Sequence, residues 1–463
     1  MCGQKKIDMQ TDMTTGNPMP IILKFTLPLL IGNIFQQLYN MADTMIVGNF
    51  VGEKALAAVG STGTIMFLVL GFCAGMSSGF TVLTSQKYGA RDERGVKSSV
   101  ANAIILSAVL VVLITILSLS VMKPLLHMMN TPDDIFGDAY TYISIICLGT
   151  VASVFYNLFS ACLRAVGNSR VPLYFLVFSA FLNVGLDLFL IIVMKMGVAG
   201  AAWATVISQG TSAVLCFLYI VNRVPELTPD REDWVYNRHF GKLQLSVGLP
   251  MALQFGITAS GTMVMQSAIN TFGSVAVAGV TAAQKVQSLV TQGFMAMGQT
   301  MAAYSGQNFG RWDLPRIRAG VKSALIIDVV YAIIASIVVI VALPVFLPVF
   351  FEKGTDIVAM LPYARIYIVQ CAIFYIPLSM IFVFRNTMQG CGFGFLPMMG
   401  GVVEFFARML AAVLAIYIKN FNLAVGCDPI AWIAAAVFTA VAWIVVAKKI
   451  EEKIARVRGG EEL

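Results

Sequence analysis

Twelve apolar runs, each long enough to cross a bilayer, constrain what this chain can become. They fall at residues 21–50, 56–86, 97–122, 138–162, 172–194, 198–222, 243–270, 277–307, 319–351, 360–389, 396–418 and 428–450. A helical crossing of the hydrocarbon core takes about 20 residues. Most of these runs are longer, which predicts tilt or extension into the interface. Backbone N–H and C=O groups meet no water at mid-membrane, so each run must satisfy its own and is expected to be helical. Of the 463 residues, 58% are hydrophobic and only 12% charged, against about 25% charged in an ordinary soluble domain. The expected fold class is all-α integral membrane, with twelve transmembrane helices.

The first twenty residues, MCGQKKIDMQTDMTTGNPMP, are polar and hold no apolar heart of a cleavable signal. Nothing apolar precedes Cys2, which argues against a lipoprotein cysteine, so the first helix is expected to be its own insertion signal. The net charge of +7 sits in short loops between apolar runs instead of forming a continuous basic stripe, which argues against a nucleic-acid partner. Cys73, Cys147, Cys162, Cys216 and Cys371 stand alone inside apolar runs and make no CxxC, so neither disulfides nor structural zinc are expected.

Lysines and arginines set the orientation. With both termini in the cytoplasm, 23 of the 31 basic residues fall inside, among them Lys87, Arg91, Arg94, Lys97, Arg311, Arg316, Arg318 and Lys322. Six fall outside, namely Lys54, Lys123, Lys195, Lys353, Arg365 and Lys419, while Lys285 and Arg408 lie within runs. Such a split is hard to obtain with a wrong helix count. It predicts a multi-pass protein of the cell membrane.

The chain also repeats itself. QKYGARD after the second run matches QNFGRWD after the eighth, and Pro28 in FTLPLLIG matches Pro250 in LSVGLPMAL. Tyr142, Gly167 and Pro172 match Tyr367, Gly392 and Pro397. Each half runs from inside to outside in the same order, so parallel repeats are expected, related by a pseudo-two-fold axis along the membrane normal. The expected organisation is an N-terminal lobe at 1–222, a linker at 223–242 and a C-terminal lobe at 243–463. Two such lobes rocking about a shared cavity is a transporter architecture.

Ionisable groups within spans are costly and so informative. Of 24 acidic residues, Asp43, Asp187, Asp328 and Glu404 fall well inside runs. Gln36, Tyr39 or Asn40, and Asp43 share one helix face, and so do Asn183 and Asp187. The fourth run adds Asn157 and the sixth Thr205. Two carboxylates gathered with amide and hydroxyl oxygens can share a proton or enclose sodium, with Asp43, Asn183 and Asp187 as the sodium candidates. The alternative is that each aspartate is capped by neighbours and only orients helices, a reading that fits Asp328 better, nearer the cytoplasmic end of its helix.

Glu404 and Arg408, at i and i+4, suit an internal ion pair or the wall of a substrate cavity. Polar stripes on the seventh run (Gln254, Thr258, Thr262) and the eighth (Gln284, Lys285, Ser288, Gln292, Gln299) must face a bundle interior or a cavity. Gly71, Gly75 and Gly79 permit close helix approach. The only two histidines, His127 and His239, lie in loops, and no nucleophile motif, metal cluster or phosphate loop occurs. An enzyme is therefore not expected. No cofactor is expected either, and an ion gradient must supply the energy.

The segment QQLYNMADTMIVGNFVGEKALAAVG, Gln36 to Gly60, resembles the first-to-second-helix signature of the multidrug and toxic compound extrusion (MATE) family. NVGLDLFLI and the paired QKYGARD and QNFGRWD segments agree, and the resemblance covers essentially the whole chain. It implies twelve helices in two lobes around a V-shaped cavity, and export of small amphipathic, often cationic compounds in exchange for protons or sodium. By positional match, Asp43, Asn157, Asn183, Asp187 and Thr205 would form an ion-coupling cluster in the first lobe. Gln36, Tyr39, Gln254, Thr258, Gln284, Lys285, Gln292, Glu404 and Arg408 are the candidates for the substrate cavity. The NorM-like branch carries carboxylates in its seventh and tenth helices, where this chain offers Gln254 and Arg385, so the DinF-like branch is the better match. A monomer is expected. The alternatives are a lipid or lipid-linked-oligosaccharide flippase of the same superfamily and, further off, a membrane-embedded enzyme.

Overall fold

The computed structural model describes residues 10–129, 131–347 and 357–458. Lys5, Lys6, Lys353 and the predicted end of the ninth run at 351 lie outside them. The chain forms α1 (Pro18–Phe50), α2 (Glu53–Gly89), α3 (Glu93–Met128), α4 (Asp133–Leu148), α5 (Thr150–Ala165), α6 (Arg170–Leu188) and α7 (Val198–Arg223). After two short 3₁₀ turns come α8 (Arg238–Asn270), α9 (Ser274–Gly310), α10 (Leu314–Phe346), α11 (Ile357–Ile373), α12 (Tyr375–Gly390), α13 (Phe395–Ile418), α14 (Phe421–Val425) and α15 (Cys427–Arg458).

Among the described residues, nine of these helices are long and apolar enough to cross a membrane. Two further spans are bent pairs, α4 with α5 at 44° and α11 with α12 at 51°. The twelfth is α9, which at 37 residues has the length of α2 but carries enough glutamine, serine and threonine to lower its apolarity. Sequence periodicity reads each bent pair as one run. At the first bend stands Gly149, whose missing Cβ leaves room for Val206, since an added Cβ would lie 2.2 Å from its Cγ2. Long aliphatic side chains stay exposed on α3 (Leu113, Ile116, Leu117) and α10 (Ile337, Val338, Val341), as expected where lipid is the solvent.

The backbone repeats as the sequence does. Positive φ recurs in matched pairs, Gly52 with Gly273, Arg91 with Trp312, Gly167 with Gly392, and Lys195 with Lys419. Non-glycine residues rarely adopt that conformation, so two matched non-glycine pairs mark a shared local architecture. Asp92 and Asp313 both cap the following helix, accepting from the N–H of Gly95 at 2.8 Å and of Arg316 at 3.0 Å. The register set by Gly167/Gly392 and Pro172/Pro397 slips by one residue before Lys195/Lys419. A π-helical turn at Phe189–Val193 in the first half absorbs the extra residue. It begins two residues after Asp187.

Packing divides the chain into two units. The first holds Leu27–Phe255 with the described residues before Gly16, and the second holds Gly16–Thr26 and the described residues from Gly256 onward. Chain order would put all of α8 with the second half, yet its stretch through Phe255 packs in the first unit. The glycine run of α2 explains this. A Cβ on Gly75 would lie 2.8 Å from Ala252 Cα, one on Gly79 would lie 2.2 Å from Gly248 Cα, and Gly71 abuts the Phe255 ring. The linker is strapped to α3 within the same unit. Lys97 donates to Asp230 at 2.6 Å and Ser98 to Asp233 at 2.8 Å, while Asn102 and Asn237 exchange two hydrogen bonds.

Candidate functional site

In the first unit, α1 carries Asp43 and α6 carries Asp187, and the two carboxyl groups lie within hydrogen-bonding reach of each other. Asp43 is 8% exposed and Asp187 0%. No ion pair among the described residues includes either. Both oxygens of Asp187 and Oδ1 of Asp43 lack a donor, and neither polar atom of the Asn183 amide, one turn earlier on α6, has a partner. Each unsatisfied buried polar group costs about 1–3 kcal/mol. Nearby hydroxyls in the same unit show the ordinary solution, Ser179 donating to the carbonyl of Ser208 at 2.7 Å and Ser212 to that of Phe175 at 3.1 Å.

The unsatisfied set has a chemical character. A proton held by one carboxyl supplies a donor to the other. Sodium would instead be met by carboxylate oxygens from Asp43 and Asp187 and the Asn183 carbonyl, a hard-oxygen set fit for a hard cation. Around the pair stand Tyr142 of α4, within electrostatic reach of both aspartates, and Tyr39 of α1, close to Gln209 and Gln36.

Gln209, on α7, continues the chain by accepting from Ser153 Oγ. Asn157 bonds back to the Ser153 carbonyl at 2.8 Å, so it sits one link from this network, not against a carboxylate. Thr205 is buried on α7, one turn before Gln209. Among the described residues no hydrogen bond joins Asn157 or Thr205 to either aspartate. Sequence reasoning missed Gln209, Ser153 and the position of Tyr142. Only Tyr142 left a trace, as the repeat partner of Tyr367.

The second unit holds a different polar centre. Arg408, 3% exposed, donates from Nη2 to Glu404 at 2.8 Å and from Nε to Asp428 at 2.9 Å. Tyr367 Oη reaches Asp428 at 3.2 Å and also bonds Gln287. Gly261 of α8 makes room for the guanidinium, because a Cβ there would lie 2.4 Å from Nη1. Asp428, in the first turn of α15, was hidden at the edge of the twelfth run. Asp328 is separate, buried on α10 with Oδ2 unpartnered.

The remaining cavity candidates divide between the units. Gln36, exposed, and Gln254, buried, belong with Tyr39 to the first. Thr258, Gln284, Lys285 and Gln292 belong to the second, with Lys285 exposed and the other three half-buried. Gln292 turns back onto its own helix, donating to the Ser288 carbonyl at 3.1 Å.

Probable multidrug resistance protein YpnP of Bacillus subtilis (strain 168) is 32% identical over 308 residues, 66% of this chain and 68% of that protein. Probable multidrug resistance protein YoeA of the same organism is 26% identical over 313 residues, again 66% and 68%. A MOP superfamily transporter from Pyrococcus furiosus Vc1 (DSM3638) superposes with a TM-score of 0.90 at 21% identity, covering 97% of this chain and 100% of that one. That likeness shows the fold, an all-α membrane architecture. The family model MatE matches residues 28–189 and 250–414. Each matched stretch begins at a proline of the internal repeat, Pro28 and Pro250, so both halves carry the signature, and the chain belongs to the MatE family of multidrug and toxic compound extrusion transporters.

Proposed function

We propose that this transporter is a secondary-active antiporter that exports small amphipathic, often cationic compounds in exchange for protons or sodium by alternating access. The Asp43–Asp187 pair, with Asn183 beside it, is the coupling site. The observation that carries this reading is a pair of buried carboxyls in mutual reach, short of donors and, among the described residues, unmatched by a basic partner. Binding a proton or a sodium ion relieves that deficit, and releasing it restores the deficit, so the ion's free energy is tied to the state of the helices that hold it. Tyr39, Gln209, Ser153, Asn157 and Thr205 extend the site by hydrogen bonding and polarity.

Residues 1–222 and 243–463 act as the two lobes, joined by 223–242, with both termini in the cytoplasm and a single chain as the working unit. Gln36, Gln254, Thr258, Gln284, Lys285 and Gln292 are the residues proposed to meet substrate. Coupling in the first half, with Glu404 and Asp428 of the second half tied to Arg408, follows the DinF-like pattern.

Reconstitution into liposomes tests the proposal, with dye efflux followed under a proton gradient and a sodium gradient imposed separately. Efflux driven by one of the two, and abolished by Asp43→Asn, is the expected result. Efflux unaffected by either gradient would overturn it.

A further inference from the structure

The repeat places the two polar centres in correspondence. In the register of Gly167/Gly392 and Pro172/Pro397, which holds up to the π-helical turn, Arg408 stands opposite Asn183 and Glu404 opposite Ser179. Tyr142 and Tyr367 are likewise matched, and each faces the carboxylates of its own unit. In the first unit an unpartnered amide stands beside two carboxyls that, among the described residues, no basic side chain pairs. At the equivalent place in the second unit a guanidinium bridges two carboxylates.

We propose that Glu404, Asp428, Tyr367 and Gln287 form a second site for a monovalent cation, assembled around the position that matches Asn183 and filled permanently by the side chain of Arg408. The tethered cation cannot exchange, so this site contributes no ion to the transport cycle. The analogy rests on the coupling role given to Asp43 and Asp187, whereas the second site stands on its own geometry.

Charge balance supports the assignment. Around Glu404 and Asp428 the facing groups are Tyr367 and Cys371 from α11, Arg385 from α12, Arg408 from α13 and Cys427 from α15. Arg408 is the one positive charge paired with both carboxylates, so its removal leaves a deficit of one charge that one sodium ion or one proton fills. The oxygens left behind, from Glu404, Asp428, Tyr367 and Gln287, are hard ligands of the kind such a cation takes. Gly261 leaves the pocket side of α8 without a side chain at Nη1.

The test compares wild type, Arg408→Gln and Arg408→Asn as purified full-length protein. Radiolabelled sodium binding and proton uptake on acidification are measured for each. The expected result is one additional sodium ion or proton per chain in both variants, the two readouts telling which. Glu404→Gln combined with Arg408→Gln should abolish the gain. In an Asp43→Asn background the gain should persist, which separates failure of this proposal from failure of the coupling reading. The stability of Arg408→Gln should also become dependent on sodium or acid pH where wild type is indifferent. A folded Arg408→Gln with no added cation, or one that fails to fold at every sodium concentration and pH, would overturn the proposal.

Discussion

Asp43 and Asp187 approach each other from different helices, α1 and α6, and meet carboxyl to carboxyl where, among the described residues, no basic side chain pairs with either. A protein keeps such an arrangement at a cost. If the pair couples transport, Asp43→Asn and Asp187→Asn should each insert and fold, because an amide supplies the donor that the carboxyls lack. Each should nonetheless lose gradient-driven export. The double variant should be no worse than the singles, since residues that serve one ion fail as a unit. A purely structural pair predicts retained export and unchanged or raised stability. Wild-type efflux rates in both singles at matched expression would decide for that alternative.

Spans and carboxylates were legible in the sequence because the membrane makes them so. A charged side chain in an apolar run is conspicuous, and a 20-residue apolar run has few folds open to it. Asp428 escaped notice because it lies at a run's boundary, where acids are unremarkable. Gln209 and Ser153 escaped because a lone neutral polar residue in a helix carries no sign of its partner. The bends were invisible for another reason. Pro28, Pro124, Pro250, Pro344 and Pro362 all lie inside helices that continue through them, while the breaks fall at Gly149 and Phe374. The π-helical turn after Asp187 needed the two halves to be compared by backbone, residue against residue.

The glycine run of α2 makes a graded prediction. At Gly79 an added Cβ would meet backbone, Gly248 Cα at 2.2 Å, which no rotamer change can relieve. At Gly63 it would meet nothing within 4 Å. Gly79→Ala should therefore destabilise the protein by about 1–3 kcal/mol, the usual range for overpacking. Gly63→Ala should be neutral or slightly stabilising, since alanine is the better helix former. Apparent melting temperatures in detergent check both, and equal effects at the two sites would refute the close approach of α2 and α8.

Asp92 caps α3 from the loop after α2, and the Lys87 ammonium at 2.8 Å holds its carboxyl below the ordinary carboxylate range. A pKa depressed by folding contributes stability above the unfolded value of about 3.9, and that contribution is lost as pH falls through the folded value. Asp92→Ala should cost about 1 kcal/mol at neutral pH through the lost cap. The gap from wild type should narrow in acid. Asp92→Asn keeps the cap acceptor without the charge, so it should lose less at neutral pH and show a flatter pH dependence. A thermal-shift series across pH reads both, and a gap that widens in acid would contradict the assignment.

The orientation argued from basic residues is open to direct labelling. Asn222, at the end of α7, is exposed, and its amide bonds only to the Leu218 carbonyl of its own helix at 2.8 Å, so a cysteine there disturbs little. Lys54, at the start of α2, pairs with Asp134 at 3.2 Å with both side chains largely exposed, so its replacement is cheap as well. The seven cysteines among the described residues are all buried, which leaves a low background once Cys2 is changed to serine. Five spans separate residue 54 from residue 222, so the two positions must lie on opposite faces. With the termini in the cytoplasm, Lys54→Cys should react with a membrane-impermeant maleimide in intact cells, and Asn222→Cys only after permeabilisation. The reverse pattern would invert the orientation and remove the basis for placing the strapped linker inside. Labelling of both from the same face would strike deeper, because it would break the span count on which the two-lobe reading depends.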